Sequence, residues 1–282
     1  MSTKSVSRNT LGSFDFTLGK YENLCRAIAD SSYTTVTLAD YLAMRKQPTN
    51  GKYIIMRHDV DRMPERAVGT AEVERRHGIK ATYYFRQQKG TYIPEIMDRI
   101  GAMKHEIGYH YETLDKSRGD REAARALFVR ELAGFRRRYD VKTVCAHGNP
   151  LTRNDNKDIW KGSQFSELGL LGEAFLSLDF RQFAYFSDSG RTWLKTDSQK
   201  MPGKDSVSTA FDYIVPKSTD DVIRIIRWGS LPNICILTHP ERWSADIAGY
   251  VSRYLLDLAF AWGKVAIHAY RRMSNNEIAV HN

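Results

Sequence analysis

Residues 53–59, YIIMRHD, are an apolar run that closes on a histidine and an aspartate, and residues 80–86, KATYYFR, are a second such run that closes on an arginine. The segment between them opens on Pro64, carries Ala67, Val68, Ala71 and Val73 at helical spacing, and stops at Gly78. Proline in the first turn and glycine past the last are usual marks of a helix. Strand, helix and strand within about 30 residues make a βαβ unit, whose helix returns the chain to its starting end, so the two strands run parallel. A parallel sheet has to be covered by helices, and this feature alone points to an α/β fold.

The alternation continues. Helix YIPEIMDRIGAM, strand HEIGYH, helix DREAARALFVRELAGFRRR and strand TVCAH follow in order, and four parallel strands are implied by residue 147. Upstream, YENLCRAIA and TLADYLAMR read as short helices flanking the β-branched strand YTTVT. The stretch 149–216 is rich in Gly, Ser, Asp and Asn, with EAFLSLDF and FAYFSDS as its strand candidates. Helix DDVIRIIRW then ends at Gly229, strand ICILTH follows, Ser244 is placed to cap a helix ADIAGYVSRYLLDLAFAW, and VAIHAY closes the chain. A chain of 282 residues accommodates two small domains or one α/β barrel of about 250 residues. With no internal repeat or low-complexity linker, the simpler organisation is a mobile head over 1–14 and one domain over 15–282.

Composition narrows the function classes. Hydrophobic content of 42% is ordinary for a soluble protein, and no apolar stretch approaches the roughly 20 residues that span a bilayer. The N-terminal MSTKSVSRNTLGSFDF has no apolar core behind its lysine and arginine, so a cytoplasmic location is the expectation. The net charge of +9 comes from Lys and Arg scattered along the chain, without a zinc-finger or RNA-recognition signature; no nucleic-acid partner is expected, and an anionic small substrate is compatible. Cys25, Cys145 and Cys235 are odd in number and lack CxxC spacing, which argues against a disulfide framework or a cysteine zinc site. Cys145 and Cys235 sit in apolar runs and read as core.

The apolar runs end in His58 and Asp59, Arg86, His110, His147, Asp188, His239 and His268. Active sites of parallel barrels lie at the carboxyl ends of the strands, so these side chains converge on one rim. Imidazole is the commonest side-chain metal ligand and a frequent acid–base group, which gives a set of strand-end histidines a chemical meaning.

Four of these strand ends, RHDVDRMPERA, HEIGYHYETLD, CAHGNPL and ILTHPERW, resemble in their order the polysaccharide deacetylase superfamily. This is the NodB-homology domain of carbohydrate esterase family four, and the match is closest to its HDVD branch, associated with bacterial surface-polysaccharide gene clusters. The resemblance covers roughly residues 15–270. It implies a single-domain distorted (β/α)7 barrel and metal-dependent removal of an acyl group from a sugar amine.

The family's adjacent aspartates, one the base and one a metal ligand, are here separated by Val60. By alignment Asp59 matches the catalytic base and Asp61 the metal ligand; exchanged roles, or Asp61 as a cap for the helix at Pro64, are the alternatives. His110 matches the first histidine of the family's metal pair, and Leu114 stands where the second would be. His147 is then favoured as the third ligand, with Glu112 next, while His105, which begins its strand, reads as structural. Pro150 is kept in CAHGNPL, the family's arginine is not, and Gly148 would allow close approach of backbone to substrate. His239 matches the general acid; Asp188 is placed to orient a catalytic partner and, with Arg86, Arg191 and Trp193, is a candidate substrate contact; a turn ion pair and a core tryptophan are the alternative for Arg191 and Trp193.

The implied cofactor is one divalent transition metal, zinc first, with manganese, iron or cobalt as alternatives; mixed imidazole and carboxylate ligands suit all four. The implied substrate is a nucleotide-linked or lipid-linked sugar, or a polysaccharide, in O-antigen-type biosynthesis. The rival from another class is a degenerate family member that binds carbohydrate or supports polysaccharide assembly without catalysis, as the departures at Val60 and Leu114 would allow.

Overall fold

The structure is a computed structural model that describes residues 14–44, 51–149, 152, 154–193, 207–246 and 248–251. The expected mobile head, apart from Phe14, lies outside these residues, as do Pro150, most of the expected helix after Ser244, and VAIHAY with His268.

Helices α1 (Leu18–Ala29) and α2 (Leu38–Met44) bracket the short strand β1 (Thr34–Thr35). Then come β2 (Tyr53–Val60), α3 (Glu65–Arg76), β3 (Ala81–Arg86), α4 (Pro94–Ala102), β4 (Glu106–Tyr111), the single turn α5 (Thr113–Lys116), α6 (Arg121–Arg136) and β5 (Thr143–Ala146). The later part supplies β6 (Gly172–Glu173), β7 (Phe183–Ser187), α7 (Thr219–Trp228) and β8 (Asn233–Thr238). Capping follows the local sequence. Thr17 and Asp120 accept from backbone N–H groups of the first turns of α1 and α6, and Ser218 and Asp221 form a reciprocal capping box on α7. Gly229 ends α7 at φ 64°, a left-handed conformation that glycine adopts without steric cost.

All the ladders are parallel, in the order β6–β5–β4–β3–β2–β8–β7, and β1 pairs with the start of β2. Side chains alternate between two cores. Ile54, Met56 and Val60 of β2 join Tyr83, Phe85, Tyr109 and Ile236 beneath the helices, whereas Ile55 joins Tyr84, Cys145, Phe175, Phe183, Tyr185 and Leu237 on the other face. That second cluster unites residues from or beside both ends of the strand order, so the sheet curls around it into a half-barrel. Among the described residues no ladder joins β6 to β7; the expectation of a (β/α)7 barrel is met as far as a curled seven-stranded parallel sheet flanked by helices.

Two expectations are corrected. Of EAFLSLDF only Glu173 is strand, because the Glu173 carboxylate folds the chain back: it accepts from Ala146 N at 2.8 Å, Phe175 N at 2.7 Å and Leu176 N at 2.9 Å. Ser244 is not a helix cap. Its backbone bridges to the segment before α1 (Ser244 N to Phe16 O, Leu18 N to Ser244 O), and Asp246 Oδ1 instead accepts from Gly249 N at 2.6 Å.

One glycine matters to the interior. A Cβ on Gly108 would lie 2.3 Å from the Tyr84 ring, which crosses there to bond Thr143 Oγ1 at 2.7 Å.

Candidate active site

The period-two alternation of β2 puts Arg57 and Asp59 on the concave face, where Arg57 Nε and Nη2 donate to the two Asp59 oxygens at 2.9 and 2.6 Å. Both side chains are buried, and the guanidinium lies over the Phe175 ring with its Cζ 4.1 Å from the centroid. Burial pushes the Asp59 pKa up, but the charges of Arg57 and His110 and the paired hydrogen bonds outweigh it, and the carboxyl titrates below its usual range. Asp59 is therefore an ionised, fixed acceptor.

Asp61 lies just past the end of β2. Its Oδ1 is buried, accepts no hydrogen bond, and stands 3.4 Å from His110 Nε2 and 3.6 Å from His147 Nε2. No side chain caps α3, which removes the capping alternative for Asp61. The strand register explains the meeting: Arg86 of β3 pairs with His110 of β4, and His110 with Cys145 of β5, so all three face inward at one level. His110 Nδ1 lies 3.0 Å from Cys145 O, to which it donates, leaving Nε2 its lone pair. His147 Nδ1 faces Glu112 at 3.5 Å, and Glu112 accepts from Arg86. Glu112 thus backs the far side of the His147 ring. Asn156 ties the loops together: its Nδ2 donates to His147 O at 2.9 Å, and its Oδ1 accepts from Leu114 N at 3.0 Å.

A second donor set shares His110. Ligand atoms of Asp59, His110 and Cys145, all buried, lie within 4.8 Å of one another and are compatible with one metal ion. Cys145 Sγ is 3.8 Å from Asp59 Oδ2. The cysteine read as simple core is buried, but it faces the site, because the register turns it toward His110.

His239 follows β8 directly. Its backbone N donates to Asp188 Oδ2 at 3.0 Å and its Nδ1 to Asp188 Oδ1 at 2.6 Å. Trp243 Nε1 and Arg242 Nη1 also donate to the same carboxylate, at 3.0 and 3.1 Å. Burial and Arg242 push the imidazole pKa down, yet the charge and hydrogen bond of Asp188 prevail and raise it to about 8. With Nδ1 committed, Nε2 is the nitrogen left to exchange a proton. His239 is also near enough for its charge to lower the pKa of Asp59 and of Asp61.

Asp59, Asp61, His110, His147, Arg86 and the Asp188–His239 pair therefore gather at the carboxyl ends of β2, β3, β4, β5, β7 and β8. Arg191 is placed elsewhere: it follows a turn closed by Arg191 N to Asp188 O, with its guanidinium over the Tyr250 and Phe16 rings at 4.3 and 5.9 Å. Trp193 is buried and donates to Thr219 Oγ1 at 2.9 Å, so it is core. His58 faces the helices, bonding Glu74 at 2.7 Å and Thr238 Oγ1 at 2.6 Å, because it is one residue out of phase with Asp59. His105 bonds Ala81 N and Ala71 O and is structural, as expected. Sequence reasoning missed Arg57, Asn156 and Arg242; alternation signals only Arg57, two residues before Asp59 on the same strand.

Comparison of the chain with protein-family models, with curated proteins and with solved structures finds no match.

Proposed function

We propose that this chain is a metal-dependent hydrolase that removes an N-acyl group from a sugar in the synthesis of a bacterial surface polysaccharide of O-antigen type. The observation that carries the reading is one rim holding a fixed ionised carboxylate (Asp59 on Arg57), an orphaned carboxylate oxygen between two imidazoles (Asp61, His110, His147), and an imidazole raised toward protonation (His239 on Asp188). Amide hydrolysis asks for a base, a Lewis acid and an acid together.

Of the two donor sets, Asp61, His110 and His147 suit a metal better. Both Asp59 oxygens already accept from a guanidinium, and a second cation there would meet its charge; Asp61 Oδ1 makes no hydrogen bond and faces only the two imidazoles. A divalent ion held by these residues would supply the charge that polarises an acyl carbonyl and acidifies a water. Asp59, ionised and held in orientation by Arg57, is the base placed to accept a proton at this rim. His239 delivers a proton from Nε2 to the departing amine, while Asp188 holds the ring and favours its charged form. Burial of Asp59 and His239 keeps bulk water from both.

Metal analysis of the purified protein, followed by mass spectrometry with nucleotide-linked N-acyl sugars, tests the reading. Expected are about one equivalent of transition metal, loss of metal in folded His110→Ala, retention in Cys145→Ser, and release of the free amine. Metal lost from Cys145→Ser but kept in Asp61→Asn moves the ion to the Asp59, His110 and Cys145 set. Sugar binding without hydrolysis favours the carbohydrate-binding alternative.

A further inference from the structure

Cys145 takes no part in the chemistry proposed above. The register pairs it with His110 of β4, and its buried thiol stands 3.9 and 3.8 Å from the two Asp59 oxygens. His110 Nε2 is 3.6 Å from Asp59 Oδ2. Neighbouring ligands of a tetrahedral ion with bonds of about 2.0–2.3 Å lie roughly 3.3–3.8 Å apart, so these separations need little adjustment. Among the described residues, this carboxylate, imidazole and thiol are the group whose ligand atoms all stand within 4.8 Å of one another.

The donors differ in kind from Asp61, His110 and His147. Thiolate is a soft ligand that selects zinc and similar thiophilic ions over hard, oxygen-seeking cations. Its charge also answers the objection that Arg57 raises. With the guanidinium paired to it, Asp59 alone offers an ion little net charge, and a thiolate beside it restores one negative charge. An ionised carboxylate has about four lone-pair sites, and Arg57 occupies one on each oxygen. The thiol proton leaves to solvent as the bond from Cys145 Sγ to the metal forms.

His110 belongs to both donor sets and has one nitrogen for them, because Nδ1 is turned to Cys145 O at 3.0 Å. Its Nε2 lies 3.4 Å from Asp61 and 3.6 Å from Asp59. An ion on one set therefore takes Nε2 from the other. We infer that Asp59, His110 and Cys145 form a second, inhibitory site for a thiophilic divalent cation, which competes for His110 with the ion of the Asp61 set and occupies Asp59. The site stands on the geometry of these three side chains; its inhibitory effect rests on the hydrolase reading above.

The test is cadmium titration of chelator-stripped protein, followed by the ultraviolet thiolate-to-cadmium charge-transfer band, beside zinc binding by competition with a chromophoric chelator. The wild type is expected to take up about one equivalent of cadmium with the band. Cys145→Ser and Cys145→Ala are expected to lose the band and keep zinc, Asp61→Asn to keep the band and lose zinc, and His110→Ala to lose both. A variant with Cys25→Ser and Cys235→Ser, which leaves Cys145 as the sole cysteine, is expected to keep the band and carries the test if the Cys145 variants do not fold. A band that survives in Cys145→Ser comes from Cys25 or Cys235 and overturns the site, as does the absence of any band in the wild type. With a sugar that the zinc-loaded protein deacylates, cadmium is expected to stop release of the amine in the wild type and not in Cys145→Ser. Equal inhibition of both puts cadmium on the zinc ligands and overturns the inhibitory role. A band that depends on Cys145 in a protein that binds no zinc upholds the site and removes the metal reading on Asp61.

Discussion

At the scale of single residues, the two groups proposed to transfer protons are set apart by their partners. Asp59 is held ionised by Arg57, and His239 is raised to about 8 by Asp188 against the opposing effect of burial. The rate is therefore expected to fall on the alkaline side as pH rises through about 8, and on the acid side only below the usual carboxylate range. Asp188→Asn should move the alkaline limb to lower pH; a limb that stays in place identifies another acid. The same shift has a stability sign. A histidine whose folded pKa exceeds the unfolded value stabilises fully below about 6.5 and loses that contribution as pH rises through about 8.

Asp59→Asn is expected to cost roughly 100-fold or more in turnover, the scale of a positioned base. It also removes one acceptor from a buried guanidinium, and breaking such pairs costs about 3–5 kcal/mol. Urea unfolding beside kinetics separates the two effects: a variant as stable as wild type means that Arg57 has found another partner.

At the scale of elements, the opposite face of the same strands carries a second polar cluster. Glu74 of α3 accepts from Tyr21 of α1 at 2.6 Å and Tyr83 of β3 at 2.6 Å, and meets His58 of β2 at 2.7 Å, all buried. His58 in turn meets Thr238 of β8 at 2.6 Å. These bonds clamp α1 and α3 to the centre of the sheet. Glu74→Ala strands three buried groups and is expected to cost about 3–5 kcal/mol, measured by denaturant unfolding, with metal content unchanged in the folded fraction. Loss of metal from the folded protein would mean that the clamp also shapes the rim.

At the scale of the whole molecule, the strand order puts β4, β3 and β2 in the middle, with the two-residue β6 at one end and the five-residue β7 at the other. Amide hydrogen exchange is expected to be slowest in β2, β3 and β4 and faster by orders of magnitude at β6, since central strands open only with global unfolding. Uniform protection across the sheet would point to closure between β6 and β7. The candidate site residues Asp59, Arg86 and His110 sit on the protected part, on β2, β3 and β4.

The sequence by itself determined the parallel α/β order, because apolar runs, helix spacing and capping residues are local signals that each segment carries alone. It also marked the rim: strand-end Asp59, His110, His147 and His239 were readable from where apolar runs stop. The tertiary structure decided the pairings. Which carboxylate meets the guanidinium, that Cys145 faces the site while His58 turns away, and that Asn156 braces His147 all depend on register and sheet curl. Those come from contacts between segments far apart in the chain, where shifting a strand by one residue reverses every side chain. Glu173 makes the same point for a single element. A run that reads as strand becomes a turn where its Glu173 carboxylate, held by Ala146 N of β5, also accepts from the local Phe175 and Leu176 N–H groups.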